Sequence, residues 1–189
     1  MGIARRRQAA FALDHFGISV EGRDCMDVGA STGGFSQVLL SRRAHHVTAV
    51  DVGHGQLHPK LQRDPRLLSL ESLDIRDVTP EDLPFPPSII AMDVSFIPLT
   101  VALPAALALA VPPDNAPAYA VLLIKPQFEA GKKHVGRGGL IKDADIHAMV
   151  CEQTAEFVDS LGWQVDGIVP SPILGGEGNA EFLLAAHLG

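Results

Sequence analysis

The sequence is poor in cysteine: two in 189 residues, Cys25 and Cys151, with no CxxC or Cys/His spacing. That argues against a disulfide framework or a structural zinc site and points to a reducing, cytoplasmic setting. Aromatic residues make up only 5%, with one Trp and one Tyr, so platforms for stacking bases are few. Trp163 and Tyr119 both fall in predicted strands, where core packing accounts for them. Positive charge is also short, since 15 Lys and Arg against 22 Asp and Glu give a net charge of -7. A field of that sign repels nucleic acid, so any such contact must be a local patch. No long unbroken apolar run exists; the best, Ile97 to Pro113, is interrupted by Pro98, Pro104, Pro112 and Pro113 and reads as a buried helix rather than a membrane span. The N-terminus has no secretory core and cleavage site, and no lipidation signal is visible.

What is present suits one globular domain spanning residues 1–189, with 47% hydrophobic and 20% charged residues. Ala9, Ala12, Leu13 and Phe16 recur at helical intervals and predict an N-terminal helix over 5–16, stopped by Gly17. From there strands and helices alternate: strands at 25–29, 46–51, 67–71, 89–93, 119–125 and 164–169, and helical segments at 34–43, 57–63, 99–110 and 143–161. Alternation of this kind predicts an α/β fold with a parallel sheet covered on both faces. A last strand, 180–187, follows the short turn Gly175-Gly176-Glu177-Gly178-Asn179, which leaves no room for a helical crossover, so it should pair antiparallel with its predecessor.

Asp27-Val-Gly-Ala-Ser-Thr-Gly-Gly-Phe35 lies where the first strand meets the first crossover helix, and there glycines let backbone amides approach a ligand. The spacing Gly29-x-x-x-Gly33-Gly34 differs from the GxGxxG of dinucleotide enzymes, because Ser31 stands where a glycine makes room for pyrophosphate. This argues against a nicotinamide oxidoreductase. Asp51 ends the second strand about twenty residues on, the place of a carboxylate that takes ribose hydroxyls. Asp74 follows the third strand at the same sheet edge and is positioned to accept from an adenine amino group. Together Gly29, Ala30, Ser31, Thr32, Gly33, Gly34, Phe35, Asp51 with Val52, and Asp74 with Ile75 favour an adenosine ligand without a diphosphate. The plainer reading is a tight turn, a cap and a solvated loop carboxylate.

The runs DVGASTGGF, VDVGHGQL, MDVSFI, LIKPQFEAGKKHVGRGG and GGEGNAEFL resemble the TlyA hemolysin-type rRNA methyltransferases, within the FtsJ-like class of ribose 2'-O-methyltransferases. The resemblance runs from about Phe11 to Leu184. It implies a Rossmann-like class I methyltransferase with a seven-stranded, mostly parallel sheet and an antiparallel last strand. It also implies S-adenosylmethionine as methyl donor and ribosomal RNA cytidine as substrate. A ribose 2'-hydroxyl is a poor nucleophile, so transfer needs the oxygen held in line and its proton drawn off late. Lys125, ending an apolar central strand, suits that work either as a donor that steers the hydroxyl or as the acceptor of its proton. Asp93, closing the fourth strand and shared with the donor site, and Glu181, opening the last strand, are expected beside it. The resemblance places these three in a Lys-Asp-Lys-Glu tetrad; Glu177, in the glycine turn, competes with Glu181 and reads as solvated.

The same resemblance implies a basic S4-type RNA-binding domain ahead of this unit and a Ser-Arg-Gly-Gly-x-Lys-Leu-like segment carrying the tetrad's first lysine. Neither is found in the sequence. Gln8 falls at that lysine's position, beside Arg5, Arg6 and Arg7, and a glutamine supplies no cationic charge. Candidate phosphate contacts are Arg5, Arg6, Arg7, Lys132, Lys133 and Arg137, with Arg42 and Arg43 behind them. Asp93-Val-Ser-Phe96 is not the Asn/Asp-Pro-Pro-aromatic loop of base N-methylation, and no Pro-Cys pair offers a thiolate for attack on a pyrimidine. His54 and His58 lack the intervening glutamate of a zinc-hydrolase helix, so no metal is expected. A donor- or RNA-binding module without catalysis and a membrane-lysing hemolysin are the competing readings.

Overall fold

A computed structural model describes residues 2–189. The strands are β1 (Asp24–Val28), β2 (His46–Asp51), β3 (Leu67–Glu71), β4 (Ile89–Met92), β5 (Ala118–Ile124), β6 (Gln164–Pro170) and β7 (Phe182–Leu188). They form one sheet in the order β3-β2-β1-β4-β5-β7-β6. The first five run parallel, and β7 is antiparallel to both β5 and β6. The expected antiparallel pairing of β7 with β6 is there, but β7 also slots between β6 and β5. Burial explains this: Leu183 to Ala186 have no exposure at all, so they suit an interior strand. In β6, Gln164, Asp166 and Pro170 are exposed, which suits an edge.

Helices α1 (Gly2–His15) and α2 (Gly34–Ser41) cover one face of the sheet, while α4 (Leu99–Ala108) and α6 (Ala144–Ser160) cover the other. Two one-turn helices, α3 (Pro59–Gln62) and α5 (Pro126–Glu129), sit in loops. The helical segment expected over 57–63 shrinks to α3 because His58 caps it, accepting from the Lys60 amide, and Pro59 starts it. On α1 the expected apolar face is buried through Ala9, Ala12 and Leu13, and Gly17 ends it at φ +65°. One polar residue, Gln8, is buried on that same face at 2% exposure. The apolar run after Ile97 is α4, with Pro98 at its N-cap and Pro104 inside it. Among the described residues no helix is long and apolar enough to cross a membrane.

Candidate functional site

β1 and β4 are neighbours whose connections leave in opposite directions, the arrangement that opens a crevice at the carboxyl edge of a sheet. A cavity of about 440 Å³ lies there, within the ordinary range for small-ligand pockets. Gly29, Ser31, Asp51, Val52, Asp74, Ile75 and Asp93 line it, together with Arg5. Gly29 has φ +79°, and a Cβ on it would lie 2.3 Å from the Asp93 carbonyl oxygen, so only glycine lets β1 turn this close to the end of β4. Asp51 grips the loop: Oδ2 accepts from the Ser31 amide at 2.7 Å and Oδ1 from the Gly53 amide at 2.6 Å. Each oxygen keeps a lone pair for a ligand hydroxyl.

Asp74 lies at the same sheet edge and is braced by a neighbour. Its carboxylate accepts from Arg76, through the amide and Nε at 2.9 Å and Nη2 at 2.7 Å. The Arg76 guanidinium holds its pKa down at about 2. Asp74 borders the cavity; its Oδ1 accepts twice from Arg76, while Oδ2 accepts once and keeps a lone pair. Of the other loop residues, Ala30 and Phe35 are buried at 4% and 3% and lie away from the cavity. Gly33 backs onto Leu61, and Gly34 backs onto α1. Thr32 and Gly34 instead border a second hollow with Arg6 and His58.

Beside the cavity, α1, β4, β5 and β7 bring together a buried polar cluster. Lys125 and Glu181 are each 7% exposed and Asp93 is 3%. Asp93 Oδ1 lies 2.5 Å from Lys125 Nζ, and Oδ2 lies 2.8 Å from Arg5 Nε. Both contacts are close ion pairs that fall outside hydrogen-bond alignment. Lys125 Nζ donates to Ser95 Oγ at 2.8 Å. Gln8 Nε2 donates to Glu181 Oε2 at 2.8 Å and to Ser171 Oγ at 3.0 Å. Burial pushes the Glu181 carboxyl above the usual carboxylate range, opposed by the Gln8 bond and the Lys125 charge. Lys125 is thus a buried group rather than a residue snorkelling to the surface, and Glu177 is exposed as expected.

Arg5, expected among the phosphate contacts, is inside this cluster instead. Arg6 reaches Gln37, while Arg7, Lys132, Lys133 and Arg137 are exposed. Arg42 and Arg43 are already paired with Asp14 and Glu21. The sequence reading overlooked several residues here. Phe96 is 87% exposed at φ +71° on the rim of the cavity, its ring 5.2 Å from Phe128. Asn179 is buried and fastens the Gly139–Ile141 segment to the turn before β7, donating to Gly139 O and accepting from the Ile141 amide. Asp27 is buried beneath the glycine loop, bonded to the Ser36 amide and hydroxyl, and desolvation raises its pKa to about 6. The one available signal for these three was position, next to a motif glycine or a strand end. His54 and His58 join no cluster of metal-binding side chains among the described residues.

The model of the FtsJ-like methyltransferase family matches residues 10–188. The chain belongs to that family. It is 44% identical over 173 residues to the 16S/23S rRNA (cytidine-2'-O)-methyltransferase TlyA of Mycobacterium tuberculosis, a match covering 92% of this chain and 63% of that protein. The chain therefore spans somewhat less than two thirds of that relative. A hemolysin-named protein of Lactococcus lactis has a solved structure that superposes with a TM-score of 0.91 at 38% identity, over 96% of this chain and 86% of the other. The O-methyltransferase of Bacillus cereus in complex with SAH shares the fold at 15% identity, with a TM-score of 0.62 over 96% and 80% of the two chains. S-adenosylmethionine is the methyl donor of this family, and the residues present fit it. The cradle at Gly29 would be filled by a Cβ, Asp51 is pre-set for hydroxyls, and acidic side chains suit a positively charged donor.

Proposed function

We propose that this chain transfers a methyl group from S-adenosylmethionine to the ribose 2'-oxygen of a cytidine in ribosomal RNA. The observation that carries the reading is the buried Asp93–Lys125 pair, set between the donor cavity and Glu181. When bound, the donor supplies a methyl group on a positively charged sulfur, which leaves as a neutral thioether. Gly29, Ser31, Asp51, Val52, Ile75 and Asp93 would hold it; Asp74 contributes through the loop that it and Arg76 fix. Lys125 places its Nζ beside the incoming hydroxyl, and Asp93 and Ser95 fix where that nitrogen points. The proton that leaves the oxygen passes to Glu181, whose proton affinity burial raises. Phe96 offers an exposed aromatic face at the cavity rim on which a splayed-out base can stack.

The chain's negative charge leaves phosphate binding to a local patch, and Lys132, Lys133 and Arg137 are exposed on the segment that follows Lys125. Binding through so few contacts should weaken with salt with a shallow slope. The reading is tested by transfer of labelled methyl from S-adenosylmethionine to unmodified ribosomal subunits, with calorimetric donor binding on the same preparation. Transfer that Lys125→Ala abolishes supports it. Donor binding with no transfer to any subunit identifies a binding module instead, and absence of donor binding overturns the cofactor assignment as well.

A further inference from the structure

We propose that Arg5 is a catalytic residue: it supplies the second cation of the acceptor site, facing the 2'-oxygen as negative charge builds on it. The inference rests on the ribose methyltransferase reading above and adds a residue to it. Its basis is how α1 meets the sheet. Arg5 and Gln8 are three residues apart and so share one side of the helix. Gln8, neutral, meets Glu181 at 2.8 Å, while Arg5, charged, meets Asp93 at 2.8 Å and borders the cavity. A single helical turn therefore delivers an amide to one carboxylate and a cation to the other.

Three observations separate Arg5 from an ordinary ion pair. Asp93 already has Lys125 on its other oxygen, so a second cation exceeds what one carboxylate needs. Arg5 Nη1 donates to the Gly29 carbonyl at 3.2 Å, and Nη2 makes no hydrogen bond among the described residues, which leaves a donor edge at a site where negative charge develops. The close approach of α1 is also built in: a Cβ on Gly34 would lie 2.6 Å from the Arg5 Cβ, so a glycine at the start of α2 is what lets the arginine in. In the transfer the proton leaves ahead of the new bond rather than late, passing to the Glu181 carboxylate, and the negative charge this leaves on oxygen is what Arg5 faces; the oxygen's lone pair then forms the C–O bond as the C–S bond breaks, its electron pair staying on sulfur. A guanidinium does not serve as the base at any accessible pH, so the contribution of Arg5 is electrostatic: a fixed donor held at the edge of the buried cluster.

The test uses the full chain, with single-turnover methyl transfer from labelled S-adenosylmethionine to unmodified ribosomal subunits. Donor affinity by calorimetry and thermal unfolding are measured on every variant. Arg5→Met should slow transfer by roughly 10²- to 10³-fold at saturating donor and subunit, with donor affinity kept within about threefold. Arg5→Lys should retain transfer within about tenfold of the parent. Gln8→Lys in the Arg5→Met background should recover at least about tenfold, because a lysine one turn along α1 brings a cation back to the cluster, at Glu181. Arg5→Met that transfers at the parent rate overturns the assignment. So does a loss of donor affinity that parallels the loss of rate, which would make Arg5 a support for the Gly29 loop. If instead the parent chain binds donor and transfers to no subunit, the ribose methyltransferase reading and this assignment fall together.

Discussion

The two halves of the site are built by different means. The donor half uses neighbouring segments of chain: the loop after β1, the end of β2 and the turn after β3, held by backbone amides on Asp51 and by close approach at Gly29. The proposed acceptor half uses side-chain charge from α1, β4, β5 and β7, and its Gln8–Glu181 contact joins residues 173 apart in sequence. A backbone cradle can be specified by a short motif, whereas a charge cluster has to be assembled by the sheet. The two meet at Asp93, whose carbonyl caps Gly29 and whose carboxylate lies between Arg5 and Lys125.

The strongest way to break the distinction is to strike that meeting point. Gly29→Ala places a Cβ against the Asp93 backbone at a left-handed residue and should cost at least about 2 kcal/mol of stability. It should also abolish both donor binding and transfer, as seen by thermal unfolding, calorimetry and methyl transfer together. The halves separate in a paired experiment. Lys125→Met should lower transfer by about 10²- to 10⁴-fold with donor affinity changed by less than about threefold. Asp51→Ala should weaken donor binding by about 10- to 100-fold while transfer at saturating donor stays close to the parent rate. Equal loss of both properties in both variants would show that the site does not divide in this way.

A smaller effect concerns Asp27, under the donor loop. Its folded pKa of about 6 lies above the ordinary 3.8, so between these values the folded chain binds more protons than the unfolded one. Stability should then fall as pH rises from about 4 to about 6, by at most about 3 kcal/mol. The upward shift of Glu181 acts with the same sign. Denaturation curves across this range should flatten in Asp27→Asn; an unchanged slope would assign the proton uptake elsewhere. The smallest effect is expected at Asp74. Because Arg76 already takes three of the bonds that this partly exposed carboxylate can accept, Asp74→Ala should alter donor affinity by less than about threefold in calorimetry.

Much of the fold was legible in the sequence. Alternating apolar runs and amphipathic segments gave every strand to within about two residues, because burial on both faces and helical periodicity leave strong local patterns. Where the reading went astray, the cause was competition between neighbours. Nothing in Asp74-Ile75-Arg76 says that Arg76 folds back onto Asp74 and takes up Oδ1. Arg5 reads in the sequence as one of several candidate phosphate contacts because its depth depends on Gly34, twenty-nine residues away on another helix. Gln8 reads in the sequence as a lost charge with three arginines beside it; that its amide serves Glu181, and that Arg5 of the three reaches Asp93, took the packing of α1 to decide.

By itself the sequence determined the alternating α/β order, the glycine loop and the carboxylate that follows it, since each is written in contiguous residues and acts through local backbone geometry. Only the tertiary structure decided which charges face one another. It inserted β7 between β5 and β6, laid α1 across the start of α2, and so placed Arg5, Gln8, Asp93, Lys125 and Glu181 in one buried cluster. The physical reason is range: a turn is settled over a few residues, whereas a side chain's charged partner is settled by whichever element the packing of the whole sheet brings within about 3 Å of it.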